Sequence, residues 1–156
     1  MLVNKLSNFI ILWQKKNYQI FKKYNKYFLG KLFLKVSSNT NHFIQFIIFG
    51  SFIPYTAKIG TNIQLPHQLF GIFISQKAII GDNCTIMHHV TIGSNYPKKE
   101  EAPIIHNNVF VGANACIIGS SVIHKNSQIG AGVTISNKII PANAIIIAES
   151  SVLQQS

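Results

Sequence analysis

Large aliphatic residues return at every sixth position along most of this chain. They stand at Ile80, Ile86 and Ile92, and again at Ile105, Val111, Ile117, Ile123, Ile129 and Ile135. An earlier set is Ile53, Ile59 and Leu65, and Ile74 restarts the count after a short excess. A fixed short period marks a solenoid, in which each unit buries its apolar position only by stacking on its neighbours. A six-residue unit is one short strand plus a corner, and three of them close a triangular coil of about 18 residues. The pattern therefore predicts a mainly β fold, a parallel β-helix, and leaves its hand open. The interruption at 94–104 predicts a loop. From Ile105 to about Ile146 the hexads are expected to run unbroken, with Pro141-Ala142-Asn143 in phase.

Ahead of the repeat the period changes. Leu2, Leu6, Phe9, Ile10 and Trp13 follow helical spacing, so residues 1 to about 36 read as helix. Ser37-Ser38-Asn39-Thr40-Asn41 reads as a polar break, and His42 to Phe49 as a second apolar segment. The expected organisation is a basic helical segment over 1–50, a β-helix over 51–150 and a short tail over 151–156. The helices are expected to cap a solenoid end that would otherwise expose unpaired strand edges.

Rotating the hexads over three faces shows which side chains lie above one another. Hexads 53, 74, 92, 117 and 135 fall on the first face, 59, 80, 105, 123 and 141 on the second, and 65, 86, 111, 129 and 147 on the third. The third positions on the third face are His67, His88, Ala113, Ala131 and Glu149. Strands stack about 4.8 Å apart, so His67 and His88 should be neighbours, with a slot lined by methyl groups below them. An imidazole titrates near neutrality and suits general-base work, which makes His67 and His88 the candidate catalytic pair.

Composition adds mainly a charge asymmetry. Eight of the 14 Lys+Arg residues, all lysines, lie in the first 35 positions, and the first acidic residue is Asp82. A cationic module joined to a nearly neutral repeat suits an anionic lipid or a polyanionic glycan, or is a plain solvated face. With no arginine, bidentate reading of bases by guanidinium is excluded, and no nucleic-acid partner is expected. Cys84 and Cys116 make neither a metal-type pair nor a disulfide framework, and Cys84, at an inward position, is expected to be a small core hydrophobe. The apolar run from Phe9 to Trp13 is too short for a signal peptide, and Phe43 to Ile53 is too short to span a bilayer. A cytoplasmic location is expected, with peripheral contact at the inner membrane through the basic N-terminus.

Several stretches then carry a resemblance: Leu65-Pro66-His67, Gly71-Ile72, Ile80-Gly81-Asp82-Asn83, Val90-Thr91-Ile92-Gly93, Val111-Gly112-Ala113-Asn114-Ala115 and Ile129-Gly130-Ala131-Gly132. Together they resemble the hexapeptide-repeat acyltransferases, on the serine acetyltransferase-like branch, and especially the members that acetylate bacterial surface sugars. The likeness covers residues 52 to about 147. It implies a left-handed β-helix, a homotrimer with active sites between subunits, acetyl-CoA as donor and no metal. It implies that His67 takes the proton from an acceptor hydroxyl whose oxygen attacks the thioester directly. It also implies that Gly93, Ser94, Gly112, Ala113 and Ala131 bind the donor, the two alanines through backbone groups along the pantetheine arm. An N–H near Gly93 or Ser94 would face the oxyanion.

Two positions depart from serine acetyltransferases. Pro66 stands where they carry Asp before the catalytic His, and Ala102-Pro103 where they carry His-Pro. Their long helical N-terminal domain is replaced by about 50 residues. The expected acceptor is therefore a sugar hydroxyl of a capsular or other surface glycan, with His88 taking over part of the missing loop histidine's work. A serine O-acetyltransferase and a non-catalytic trimeric scaffold remain the alternatives. A zinc hydratase similar to γ-class carbonic anhydrases needs three His ligands, but His88 and His124 fall on different faces and no His follows. His42, His89, His106 and His124 are expected in surface or packing roles.

Overall fold

The aliphatic repeat folds into three parallel sheets around one core. The structure, a computed structural model, describes residues 2–24, 26–95 and 101–148. The first sheet stacks Phe73–Ile74, Thr91–Gly93, Cys116–Ile118 and Thr134–Ser136. The second stacks Lys58–Ile59, Ile79–Ile80, Ile104–Ile105, Val122–Ile123 and Ile139–Ile140. The third stacks Thr85–Ile86, Phe110–Val111, Gln128–Ile129 and Ile145–Ile146. Every pairing is parallel and sets one repeat aliphatic on the next, as in Ile74 on Ile92 and Ile86 on Val111. Ile80, Ile86, Ile92, Ile105, Ile117, Ile123 and Ile129 are at most 2 % exposed. Each such side chain stabilises the coil by about 1.5–3 kcal/mol through burial, and the column they form is the core.

One register expectation is corrected. Ile123 pairs with Ile140 and Ile129 with Ile146, so the last coil is one residue shorter than the unbroken count requires. Ile140 and Ile146, not positions 141 and 147, are the inward residues, and the third position on the third face becomes Ala148; Glu149 lies outside the described residues. The cause is the preceding corner. Asn137, directly after Ser136, takes the left-handed turn that Gly119 takes after Ile118 in the coil before, and no residue then matches Ser120. The Asn137 carboxamide accepts from the Ser120 amide at 3.0 Å and so fills the space of the missing residue.

A second corner is built from asparagines. Asn62, Asn83, Asn108, Asn126 and Asn143 all have positive φ, three places after the inward residues Ile59, Ile80, Ile105, Ile123 and Ile140. Asparagine tolerates this conformation better than other residues with a Cβ. Their carboxamides bond along the stack, Asn62 to Asn83 at 2.9 Å, Asn108 to Asn126 at 3.1 Å and Asn126 to Asn143 at 3.0 Å.

The N-terminal expectation also changes. Helix α1 spans Leu2–Tyr24 and helix α2 spans Phe28–Phe49. The chain reverses between them, and α2 runs straight through 37–41. Gly30 permits the reversal, because a Cβ there would overlap the Tyr24 carbonyl. The polar stretch is no break, because Ser37, Ser38 and Asn41 turn to the packed side of the helix while Asn39 and Thr40 face out. The Trp13 indole donates to Ser37 Oγ at 2.8 Å, and Ser37 Oγ donates to Asn17 Oδ1 at 2.9 Å. Of the expected apolar face of α1, Ile10 is fully buried, Trp13 is half-buried and Phe9 is exposed. Ile10 and Phe49 join the solenoid core, so the helices close its first coil.

Gln45 makes the joint. It is fully buried; its Nε2 donates to Asn41 Oδ1 at 2.8 Å, and its Oε1 accepts from the Ile53 amide at 2.8 Å. A buried amide stripped of its acceptor costs about 1–3 kcal/mol. Gln45→Leu is therefore expected to lower unfolding free energy by about that amount, read from the urea midpoint at unchanged slope.

Candidate active site

His67 stands on the loop made by the three-residue excess. The loop is pinned from below by Leu69, which is completely buried, and from the side by Phe70, whose ring meets that of Phe49 at 5.2 Å. Gln68 and Gly71 both take positive φ, and the Gly71 amide donates to the Phe49 carbonyl at 2.9 Å. Any Cβ on Gly71 would run into the His89 imidazole, so only glycine lets the loop lie flat on the coil below. The result is an exposed imidazole on a short, anchored loop.

His88 lies directly beneath it. The two ring centroids are 4.7 Å apart and the planes nearly perpendicular, at 82°. His88 is half-buried, and its Nδ1 is enclosed with no hydrogen-bond partner among the described residues. Register carries the file downward, because Ile86 sits on Val111 and Val111 on Ile129, which aligns His88, Ala113 and Ala131. The backbone follows: the Asn114 amide donates to the His88 carbonyl at 3.1 Å, and the Gly132 amide to that of Ala113 at 2.8 Å. Gly112 belongs to the same file for a packing reason. A Cβ there would fall 2.6 Å from Ala131 N and 2.7 Å from Gly130 C. The structure therefore brings His67, His88, Gly112, Ala113 and Ala131 onto one corner.

Gly93 and Ser94 lie elsewhere. Gly93 ends a strand of the first sheet, Ser94 follows it, and both line a cavity of about 540 Å³ with Phe52, Phe73, Ser75 and Asn95. None of the His67 file lines it. Ser94 Oγ meets Ser75 Oγ in a short hydrogen bond, and the Gly93 carbonyl accepts from the Gly119 amide at 3.0 Å. At Gly93 a Cβ would meet nothing nearer than Ile118 Cγ2 at 3.4 Å, so the strand's outer side is open there. This cavity, with its two phenylalanines, was not anticipated from the sequence. Its only advance signal is the outward-facing Phe73 on a face whose other outward residues, Thr91, Cys116 and Thr134, are small. Positions 96–100 of the expected loop lie outside the described residues; the chain re-enters at Pro103, whose carbonyl accepts from the Ile79 amide.

The other histidines sort as follows. His89 turns the corner at φ 56 and packs on Gly71. His106 and His124 stack on the second face, 4.9 Å apart and nearly parallel. His42 lies against Phe52, and burial holds its imidazole below the ordinary pKa. Burial likewise raises the thiol of Cys84, which sits in the core. Asp82 is held below the usual carboxylate range, first by the Thr61 amide and then by the Thr61 hydroxyl, which donate to it at 2.6 and 2.7 Å. Among the described residues no group of three or more His, Cys, Asp or Glu side chains is placed to hold a metal ion.

Comparison with known proteins agrees with this architecture. Residues 102–137 match the family described as "Bacterial transferase hexapeptide (six repeats)". The chain is 29% identical over 150 residues to the Escherichia coli K12 protein named "Putative colanic acid biosynthesis acetyltransferase WcaB", covering 96% of this chain and 85% of that one. It is 38% identical over 68 residues to the "Bifunctional protein GlmU" of Wigglesworthia glossinidia brevipalpis, covering 42% of this chain and 15% of GlmU. The crystal structure of Neisseria gonorrhoeae serine acetyltransferase superposes with a TM-score of 0.69 at 27% identity, over 90% of this chain and 51% of that one. The chain thus spans about half the length of the serine acetyltransferases it matches. The fold is the left-handed parallel β-helix of these proteins, and the resemblance to the hexapeptide-repeat acyltransferases, on their serine acetyltransferase-like branch, holds.

Proposed function

For a chain built on the bacterial transferase hexapeptide repeat, we propose acetyl-CoA-dependent O-acetyl transfer to a sugar hydroxyl of a capsular or other surface glycan. The observation that carries this reading is the corner file: two imidazoles 4.7 Å apart at its head, and Ala113 and Ala131 in register below. His67 removes the acceptor's O–H proton, and the freed oxygen attacks the thioester carbonyl. A tetrahedral oxyanion forms, collapses and breaks the C–S bond. The thiolate of CoA leaves and takes the proton back from the His67 imidazolium. His88, packed edge to face on His67, holds that ring in place. The alanine file leaves a shallow channel in which a pantetheine arm can reach backbone groups.

A homotrimer is part of the proposal. Gly93 and Ser94 are assigned to the donor and the oxyanion, yet they share no cavity with the His67 file of their own chain. Subunits packed side by side would bring the first-sheet cavity of one chain to the corner of the next. An N–H near Gly93 or Ser94 then faces the developing charge.

A saccharide is favoured over serine by three features. Pro66 and Ala102 offer no charged or hydrogen-bonding side chain for an amino acid's polar ends. The cavity beside Ser94 combines two phenylalanine rings with hydroxyl and amide groups, which suits a sugar ring. The similarity to WcaB, whose name places it in colanic acid biosynthesis, runs along nearly the whole chain. Release of free CoA thiol from acetyl-CoA is the test. Release is expected with bacterial surface oligosaccharides and not with serine. Release with serine alone would transfer the reaction to the amino acid, and failure to bind acetyl-CoA at all would leave a scaffold.

A further inference from the structure

The outward side of α2 is apolar except for one turn at its middle, where Asn39 and Thr40 are exposed. Leu34, Ser38, Asn41, Gln45 and Phe49 mark its packed side. Opposite them, at helical spacing, Leu29, Leu32, Val36, Phe43 and Ile47 are each at least 49% exposed. The row continues onto α1 through a groove lined by Phe9, Leu12, Trp13, Lys16 and Phe33. Single exposed hydrophobic residues are ordinary, but a row of this size on two packed helices, broken by a single polar turn, marks an interaction surface.

Charge names the occupant. No acidic residue precedes Asp82, and Lys16, Lys22, Lys23, Lys26, Lys31 and Lys35 are all exposed on the two helices and their turn. A second copy of this chain offers the same positive helices, with no carboxylate before Asp82 to meet these lysines. An anionic bilayer offers the opposite charge to the lysines and an apolar layer to the row. Among the described residues no helix is long and apolar enough to cross a membrane, so the contact is peripheral. We propose that the α1–α2 pair docks on an anionic lipid surface, with α2 lying in the plane of the headgroups and the lysines reaching their phosphates. The solenoid then stands off the bilayer on its helical cap, which suits an acceptor carried by a lipid. The docking itself does not depend on the acetyl-transfer reading.

The full chain is to be sedimented with vesicles of phosphatidylcholine alone and with vesicles that also contain phosphatidylglycerol. Binding is expected to the mixed vesicles, weakening as salt is raised, and not to phosphatidylcholine alone. Leu32→Ser with Val36→Ser and Phe43→Ser is expected to weaken it about tenfold or more, and Lys22→Glu with Lys23→Glu and Lys26→Glu likewise. All six positions are exposed, so both variants should keep the parent's thermal midpoint; the charge variant decides the question if the serine variant does not fold. Wild-type protein left in the supernatant with phosphatidylglycerol vesicles would overturn the proposal. So would a serine variant that binds vesicles normally but is a smaller oligomer by light scattering, since the row would then be an interface between copies. Thiol release with a soluble saccharide is expected to survive in both variants, which separates failure of docking from failure of the reaction.

Discussion

His67→Ala is expected to lower acetyl-transfer turnover by about 10²–10⁴-fold, the usual contribution of a positioned general base. The side chain is exposed, and its loop is held by Leu69, Phe70 and Gly71 rather than by the imidazole, so the fold should be untouched. The KM for acetyl-CoA should move little, because the donor is assigned to the lower part of the file. Initial rates of thiol release, with a thermal melt as control, measure this. His88→Ala is expected to lower turnover by a smaller factor, since it supports His67 only through ring contact. Full turnover in His88→Ala beside loss in His67→Ala would remove His88 from the mechanism. Equal rates in His67→Ala and wild type would remove the mechanism itself.

The second large effect is expected at the other end of the file. Ala113→Leu with Ala131→Leu should raise the KM for acetyl-CoA by about one to two orders of magnitude and leave kcat with saturating donor nearly unchanged. Obstructing a donor's path removes binding shared by the ground and transition states, and that loss appears in KM. Ala131 is exposed and Ala113 half-exposed, so the added methyl groups point into the channel and not into the isoleucine column. A variant with unchanged KM would show that the donor lies elsewhere. Gly112 is unsuitable for this test, because its missing Cβ is required by the backbone of the coil below.

The sheets and the file were legible because the code that sets them is local and repetitive. One aliphatic position in six fixes the inward direction, and stacking of like on like then fixes the third positions, so His88 over Ala113 over Ala131 follows from counting. Counting failed at Ile140, where Ile139-Ile140 and Ile145-Ile146-Ile147 offer an aliphatic residue at either register. The asparagines carried the answer, since Asn143 falls three places after Ile140, as Asn126 does after Ile123. The helical hairpin was missed for a different reason. Ser37, Ser38 and Asn41 look like part of a turn when polarity is read along the chain, but on a helix they face the same packed side as buried Gln45. The cavity beside Ser94 was hidden because it is made by residues from neighbouring coils, which no single stretch of sequence displays.

The position of the cap bears on how this protein is made. α1 and α2 close the first coil, and each later coil bonds to the one before it, as Ile80 does to Ile59 and Ile105 to Ile80. A ribosome therefore delivers the helical cap before the coils, and every new rung finds its template already laid down. Growth can proceed in one direction during translation, without waiting for distant sequence. The rung most exposed to mispairing is always the newest one, and the asparagine amides that bond 62 to 83, 108 to 126 and 126 to 143 give the coils they join an immediate check on alignment.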